Sequence, residues 1–270
     1  MSPGEPLILI NGSPEAVVSP LERGLAFGDG VFRTLRMEAG LPVWWSDQLA
    51  KLEADCRRLS LDMPSRTLWE QDIAWLAVRQ ADAVLKLMVT RGPGPRGYRL
   101  PDPVFPTRIA IASALPDFPD PVAGTGARLK VCDLRLGHQP ALAGVKHLNR
   151  LENVLARMEW DDADIDEGIL LDTAGQVISG VMSNIFIRHA GVWRTPRLDL
   201  CGVAGVTRGR LLRQLAAEEA RITLAELLAA DTILLSNSLI RLRWVSALGE
   251  RCWSRPSDFD VVLESLCSEG

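Results

Sequence analysis

A proline-rich segment in the middle of this chain limits what it can fold into. Residues 115–121 read Leu-Pro-Asp-Phe-Pro-Asp-Pro, with three prolines in a short span. Proline has no amide hydrogen to donate and its ring blocks the preceding helical turn, so neither a helix nor a central strand can run through this segment. The 270 residues suffice for one large core or two medium ones. We therefore predict an N-terminal α/β domain over residues 1–114, a linker over 115–122 and a C-terminal domain over 123–270.

The charge and cysteine content argue against several classes of partner. The net charge of -4 and the isoelectric point near 5.5 argue against nucleic acid as the main partner. No apolar run is long enough to cross a bilayer, and the N-terminus lacks the layout of a signal peptide. Five scattered cysteines and three dispersed histidines show no metal-ligand spacing. We expect a reduced cytoplasmic protein with no metal site and no membrane or nucleic-acid partner.

The spacing of apolar residues predicts interleaved helices and strands, which is a mixed α+β chain. In the N-terminal part we predict strands over residues 7–10, 31–37, 41–45, 84–89 and 108–112, a helix with Ser46 as its N-cap, and a helix over about 67–80. In the C-terminal part we predict strands over 129–134, 168–172, 176–179, 184–188, 192–195 and 232–235, a helix ending near Trp160, a helix after Gly205, and a closing helix over 258–266.

Lys146 is the residue that most suggests chemistry. The chain has only four lysines against a large excess of arginine. A lysine amine can lose its proton when desolvated and then attack a carbonyl, which a guanidinium cannot do. Small and apolar residues at 141–145 precede Lys146, and Leu148, Leu151, Val154 and Leu155 follow it with helical spacing. These neighbours predict a half-buried lysine at a strand or loop end, although a surface lysine at a helix entry fits the chemistry equally well.

Two short turns are suited to binding an anion. Gly205-Val206-Thr207 combines a close backbone approach, a hydroxyl and the unsatisfied amides of a helix start. Ser236-Asn237-Ser238 is a second hydroxyl-bearing turn at a strand end. An ordinary threonine cap and a simple turn explain each motif taken alone. Together with Lys146, the two turns suggest a cofactor that carries a phosphate and an aldehyde.

The segment from Gly144 to Leu155, with Lys146 inside it, resembles the lysine segment of aminodeoxychorismate lyases. These enzymes are a branch of the fold-type IV pyridoxal-phosphate (PLP) family, beside branched-chain and D-amino-acid aminotransferases. The resemblance covers essentially the whole chain, with further motifs at residues 28–32, 91–98, 183–186, 205–208 and 236–238. It implies a two-domain α+β architecture, with a smaller N-terminal α/β domain and a larger, barrel-like C-terminal domain that binds PLP. It also implies a homodimer with the site in the cleft between the domains.

The resemblance implies a role for each matching position. Lys146 would bind PLP as a Schiff base and then act as the general base. The phosphate and the rest of the cofactor would be held by Val206, Thr207, Asn237 and Ser238. Arg96 and Tyr98 would face the substrate carboxylates, although Tyr98 also fits a loop residue that packs its ring on the surface.

Two positions depart from the family pattern. Ser179 stands where most members have a glutamate that keeps the pyridine nitrogen protonated. A serine hydroxyl makes the ring a weaker electron sink, which should harm amino-group transfer more than elimination. Lys51 stands where the family usually has a phosphate-binding arginine, so the charge remains but the two-pronged hydrogen bonding is lost.

The resemblance therefore implies a lyase that converts 4-amino-4-deoxychorismate into 4-aminobenzoate and pyruvate in folate biosynthesis. One alternative is an aminotransferase for branched-chain or D-amino acids. A second is a degenerate family member that binds PLP weakly or not at all, which Ser179 and Lys51 favour. A third is an α+β ligand-binding domain without a cofactor.

Overall fold

The structure is a computed structural model, and it describes residues 5–117 and 124–268. The chain forms two compact units. The first unit comprises the described residues up to 117 together with Val145–Asn149, and the second comprises residues 124–144 and those from 150 onward. Residues 118–122 of the predicted linker lie outside the described residues, and the domain boundaries drawn from the sequence stay a prediction.

The first unit is built on a five-stranded antiparallel sheet in the order β1-β5-β4-β2-β3. Its elements are β1 (Leu7–Ile10), α1 (Arg23–Phe27), β2 (Gly30–Glu38), β3 (Leu41–Pro42), α2 (Trp45–Arg58), α3 (Arg66–Ala77), β4 (Ala83–Thr90) and β5 (Thr107–Ser113). Alternate residues of β2 and β4 are buried, and they form one core with the apolar faces of α2 and α3. This packing holds α2 firmly against β2.

The segment around Lys146 belongs to this first unit, although it is distant in sequence from the rest. The amide of Phe32 donates to the carbonyl of Lys146 at 2.9 Å, and the amide of Leu148 donates to the carbonyl of Gly30 at 3.0 Å. Val31 and His147 lie opposite each other in an antiparallel bridge. The backbone of Lys146 is therefore held by the start of β2.

The second unit is built on a nine-stranded mixed sheet. Its elements are β6 (Ala127–Leu136), α4 (Leu151–Arg157), β7 (Glu167–Asp172), β8 (Val177–Gly180), β9 (Asn184–His189), β10 (Val192–Pro196), α5 (Val206–Gln214), β11 (Glu218–Ala220), α6 (Leu224–Ala229), β12 (Thr232–Asn237), β13 (Arg241–Leu248), β14 (Arg251–Cys252) and α7 (Phe259–Ser268). Eight strands run in the order β11-β10-β9-β12-β13-β6-β7-β8, and β14 pairs with β13. Strands β7, β8 and β9 are buried almost throughout, which identifies them as the centre of this unit.

The α+β class predicted from the sequence is confirmed, and most predicted elements are present. The predicted N-cap was wrong, because helix α2 begins at Trp45, after Trp44 in a left-handed conformation. The third predicted strand ends at Pro42 for the same reason. No helix in the described ranges combines the length and apolarity that a membrane span requires.

The helix after the lysine also differs from its prediction. The sequence predicts an amphipathic helix that ends near Trp160, whereas α4 ends at Arg157. Its apolar residues Leu151, Val154 and Leu155 are all exposed, and Leu151 keeps 74% of its surface accessible. Met158 extends this apolar surface of α4 and is 72% exposed. The apolar pattern of α4 therefore marks a surface of the second unit and not its core.

Candidate active site

Lys146 is half-buried and follows a loop, as the sequence predicted. Its backbone is paired with β2, as described above, and its amine lies 4.5 Å from the centre of the Phe32 ring. The aromatic ring attracts an ammonium group and shields one side of it from water. The lysine thus has a defined backbone position and a partly apolar surrounding, two conditions that favour a reactive amine.

Lys51 and Lys146 are brought together by a residue that sequence reasoning missed, Asp55. Asp55 is buried on the inner face of α2. One carboxylate oxygen pairs with the amine of Lys51, four residues earlier in the same helix. The other accepts a hydrogen bond from the backbone amide of Lys146 at 3.3 Å. The signal in the sequence was the position of Asp55 between Leu52 and Cys56, on the apolar face of α2.

Arg33 adds a second buried cation beside Asp55. Its Nη1 lies 3.7 Å from Asp55 Oδ2, while its Nε and Nη2 donate to the side chain of Gln48. Burial lowers the pKa of the Arg33 guanidinium to about 10 despite the nearby carboxylate. Burial also lowers the pKa of the Lys51 amine, and the charge of Asp55 opposes that shift. The cluster holds two cations and one carboxylate, so it favours an anion.

The start of helix α5 provides an anion site in the second unit. Gly205 is the N-cap residue, and no side chain caps the helix. Thr207 is 1% exposed, and its hydroxyl has no hydrogen-bond partner among the described residues. A buried hydroxyl without a partner is unfavourable, so this one is suited to an acceptor that comes from outside the chain. Val206 and Thr207 are the first two residues of α5, and their role in binding a cofactor stays a prediction.

Asn184 shapes the loop that leads into α5, a role that sequence reasoning did not assign. Its amide nitrogen donates to the carbonyl of Val203 at 2.8 Å, and its amide oxygen accepts from the amide of Gly205 at 3.2 Å. A side-chain carbon at position 205 would lie 2.5 Å from that oxygen, so any other residue would displace the Asn184 side chain. The close approach of Asn184 thus explains the glycine of the Gly205-Val206-Thr207 motif.

Strand β12 continues through Ser236 and Asn237, two residues beyond its predicted end, and the turn begins at Ser238. Ser236 is fully buried, and its hydroxyl also lacks a partner within the described part of the chain. Asn237 accepts the amides of Leu239 and Ile240 and donates to the carbonyl of Met182 at 3.3 Å. Ser238 is half-buried in the turn. The turn is thereby tied to the loop that follows Ser179.

Ser179 lies in β8, buried and paired opposite Leu170 of β7. The nearby acid is Glu167, which sequence reasoning missed because it ends a run of aspartates that looks solvent-exposed. Glu167 is buried and accepts hydrogen bonds from the amides of Val181 and Met182 and from the hydroxyl of Ser183. Burial raises its pKa and outweighs these hydrogen bonds. Its carboxyl group anchors the loop after Ser179.

Arg96 and Tyr98 lie in an exposed loop of the first unit. Tyr98 is 84% exposed, and its ring lies 5.3 Å from that of Phe27. This surface packing is the alternative that the sequence left open for Tyr98. Within the described ranges no hydrogen bond of the Arg96 side chain is found.

Each unit carries groups suited to one part of a phosphate-bearing aldehyde. The partnerless hydroxyl of Thr207 and the uncapped start of α5 are suited to phosphate oxygens, and the amine of Lys146 is suited to an aldehyde carbon. In the described residues no group of three or more histidine, cysteine or acidic side chains is arranged to hold a metal ion.

Comparison with known proteins gives two close relatives by sequence. Residues 30–248 match the profile of the family described as amino-transferase class IV. An aminodeoxychorismate lyase from Vibrio harveyi is 34% identical over 251 residues, which are 88% of this chain and 90% of that protein. A putative branched-chain-amino-acid aminotransferase from Methanocaldococcus jannaschii is 32% identical over 246 residues, which are 86% of this chain and 84% of that protein.

Solved structures extend the similarity to the fold. A 4-amino-4-deoxychorismate lyase from Pseudomonas aeruginosa superposes with a TM-score of 0.91 at 41% identity, covering 97% of this chain and 99% of that one. A hypothetical aminotransferase from Mycobacterium tuberculosis, in its PLP-bound form, has a TM-score of 0.80 at 20% identity, covering 97% and 99% of the two chains. Both similarities span the two units.

Proposed function

This chain belongs to the class IV aminotransferase family, and we propose that within that family it is an aminodeoxychorismate lyase. The fold class is the α+β fold-type IV architecture that the sequence predicted. The observation that supports the activity best is the 41% identity to a 4-amino-4-deoxychorismate lyase over 97% of the chain. The proposed reaction converts 4-amino-4-deoxychorismate into 4-aminobenzoate and pyruvate.

The proposed cofactor is PLP. When bound, it supplies an aldehyde that captures amines and a ring that withdraws electrons from the carbon bearing the substrate amine. We assign the phosphate contacts to Thr207, Val206 and Ser238 in the second unit and to the cation Lys51 in the first. Asn237 holds its turn in shape, and the amine of Lys146 is the group that binds the aldehyde carbon.

Lys146 carries the proton in the proposed reaction. The 4-amino group of the substrate would first replace Lys146 on the aldehyde carbon. The freed amine would then take the proton from C4 of the substrate, the C3–O bond would break, and the ring would become aromatic. The departing enolpyruvate gains a proton and becomes pyruvate, so atoms and charges balance. The ring of Phe32 limits the access of water to the amine, which helps it act as a base. Arg96 and Tyr98 are proposed to contact the substrate carboxylates from their exposed loop.

Ser179 favours elimination over amino-group transfer. A hydroxyl cannot stabilise a positive charge on a ring nitrogen as a carboxylate does. The buried acid of the same region, Glu167, accepts hydrogen bonds from Ser183 and from three backbone amides. A PLP ring beside Ser179 would therefore withdraw electrons only modestly. Elimination can still proceed, because aromatisation of the product drives it.

The assembly and location are further parts of the proposal. The exposed apolar face of α4, formed by Leu151, Val154, Leu155 and Met158, supports a homodimer, because a lone chain would leave it in water. The unpaired state of all five cysteines supports a cytoplasmic location. The substrate is a small molecule, and the net charge of -4 gives no support to a nucleic-acid partner.

One assay tests the activity. Purified protein with PLP receives 4-amino-4-deoxychorismate, and 4-aminobenzoate and pyruvate are measured by chromatography. Equal amounts of both products are expected, with loss of both in Lys146→Ala. An aminotransferase would instead consume branched-chain or D-amino acids without releasing pyruvate from this substrate. A protein that acquires no visible absorbance band with PLP would be a degenerate member, and the proposal would fail.

A further inference from the structure

Asp55 contacts three distinct parts of the first unit. It is 2% exposed, and its carboxylate touches the amine of Lys51, Nη1 of Arg33 and the backbone amide of Lys146. A carboxylate buried this deeply is strongly unfavourable unless charges and donors surround it. The partners supplied by α2, β2 and the lysine segment satisfy that need.

We propose that Asp55 is a positioning residue for cofactor capture, because one of its oxygens holds the phosphate-binding amine of Lys51 and the other holds the backbone of Lys146. This inference rests on the proposed function, since it presumes that Lys51 and Lys146 both serve PLP. Asp55 itself touches neither substrate nor cofactor in this scheme. It links Lys51 to Lys146, which lies 95 positions later in the sequence.

The lysine at position 51 explains why such a residue is needed. A lysine amine is a point charge at the end of a flexible four-carbon chain, whereas an arginine fork is rigid and directional. Holding that chain in one place costs side-chain entropy. The ion pair from Asp55, one helical turn along α2, restricts the amine before any phosphate arrives. Asp55 therefore restricts the conformations of the lysine side chain, a restriction that the rigid guanidinium of an arginine would not need.

The cations around Lys51 are a second reason why Asp55 is needed to hold its amine in place. Lys51 lies near the guanidinium groups of Arg33 and Arg58 as well as near Asp55. Without the carboxylate, the amine of Lys51 would be repelled by the buried guanidinium of Arg33 and by the exposed one of Arg58, with no opposite charge to hold it in place. The amine of Lys51 would then move towards solvent, and a phosphate would lose its contact. We expect this loss to outweigh the attraction gained by removing one negative charge.

The experiment uses two ligands, PLP and pyridoxal, which lacks the phosphate. The variants are Asp55→Asn, Lys51→Gln and the double variant, with Glu53→Gln as matched control. Glu53 lies on the exposed face of the same helix and pairs with Arg57. Affinity is measured by absorbance titration. The imine on residue 146 is trapped with borohydride and located by mass spectrometry as a function of time.

Asp55→Asn and Lys51→Gln are each expected to weaken PLP binding by about tenfold, and the double variant by little more than either. With pyridoxal, Asp55→Asn should slow trapping at residue 146, while Lys51→Gln should not. Glu53→Gln should behave as the parent protein with both ligands. Unchanged or tighter PLP binding by Asp55→Asn, or fully additive effects, would overturn the inference.

A second variant covers the case in which Asp55→Asn does not fold. Asp55→Glu keeps the charge and moves the carboxylate by one methylene, so it should lower PLP affinity and slow pyridoxal trapping to a smaller extent. Parent-like behaviour of this variant with both ligands would also overturn the inference.

If the parent protein takes up no PLP, the proposed function fails together with this inference. If the parent makes 4-aminobenzoate while both variants match it, the positioning role alone is wrong.

Discussion

The hydroxyl of Ser183 donates a hydrogen bond to Oε2 of Glu167 at 3.0 Å within the second unit. This bond joins the start of β7 to the residue before β9. The amides of Val181 and Met182 point at the same carboxyl group, at 3.0 and 3.2 Å. The loop that follows Ser179 is thus organised by a buried acid, and three predictions concern this region.

Replacing Glu167 by alanine should destabilise the fold. The change leaves the buried hydroxyl of Ser183 and the amide of Met182 without their acceptor, whereas the amide of Val181 keeps its bond to the carbonyl of Gly168. We expect the free energy of unfolding to fall by about 1–3 kcal/mol, measured by urea denaturation of the protein without PLP. Glu250→Ala, at an exposed position, is the control and should change stability by less than about 0.5 kcal/mol. Equal effects of the two variants would contradict the anchoring role of Glu167.

Glu167 should also make stability depend on pH. Burial raises its pKa above the ordinary value of 4.5, so the folded protein holds this proton at a pH where the unfolded chain has lost it. Its contribution is therefore complete below about pH 4.5 and is lost as the pH rises through the folded pKa, at no more than about 1.4 kcal/mol per pH unit. The stability of the parent minus that of Glu167→Gln should fall as the pH rises from 4.5. A difference that stays flat or grows would show that the raised pKa is wrong.

Thr207→Val should separate stability from cofactor binding. The hydroxyl of Thr207 is buried without a partner, so replacing it by a methyl group of the same shape should leave the melting temperature of the apoprotein unchanged or raise it. The same change removes a donor to phosphate and should weaken PLP binding about tenfold. Thr207→Ser keeps the hydroxyl and should bind PLP nearly as the parent does. Parent-like PLP binding by the valine variant would show that Thr207 does not contact the phosphate.

Ser179→Glu should shift the chemistry towards amino-group transfer. A carboxylate beside a ring nitrogen raises the pKa of that nitrogen by about one unit or more, which raises the ratio of the protonated, more strongly electron-withdrawing ring to the unprotonated one by about tenfold or more. We expect faster consumption of an amino acid in the absence of aminodeoxychorismate, followed by stopped-flow absorbance. Ser179→Ala controls for the loss of the hydroxyl and should show no such gain. Slower transfer in the glutamate variant would mean that position 179 does not face the ring.

The exposed face of α4 should support self-association. Leu151 and Met158 lie seven residues apart on this helix, and both are largely exposed. If the proposed homodimer forms through this face, changing both to glutamate should weaken self-association at least tenfold, because each large apolar side chain contributes about 1.5–3 kcal/mol when buried. Sedimentation velocity measures the effect. Val261→Glu, at another exposed apolar position on α7, should leave the association unchanged.

The strands were predictable from the sequence because their signals are local. The run at 31–37 alternates buried and half-buried residues, and Gly40 with its positive φ marks the turn that follows. The start of α2 was not predictable in the same way. Trp44 takes a left-handed conformation and is itself buried, so tertiary packing and not the hydroxyl of Ser46 sets the first turn.

The residues assigned to cofactor binding were easier to predict from the sequence than the buried acids that position the surrounding backbone. Lys146 and Thr207 belong to short motifs with a direct chemical meaning. Asp55 and Glu167 are acidic residues whose burial depends on partners far away in the sequence, such as Arg33 and Ser183. A single sequence carries no record of such pairings, and charged residues are usually exposed.

The way residues 145–149 complete the sheet of the first unit has a consequence for dissecting the protein. A fragment cut after Asp117 would contain all five strands of that sheet but not the short segment that pairs with β2. The amide of Phe32 and the carbonyl of Gly30 would then lose their hydrogen-bond partners. Autonomous expression of this half would therefore require residues 145–149 to be grafted back by a linker or supplied as a peptide.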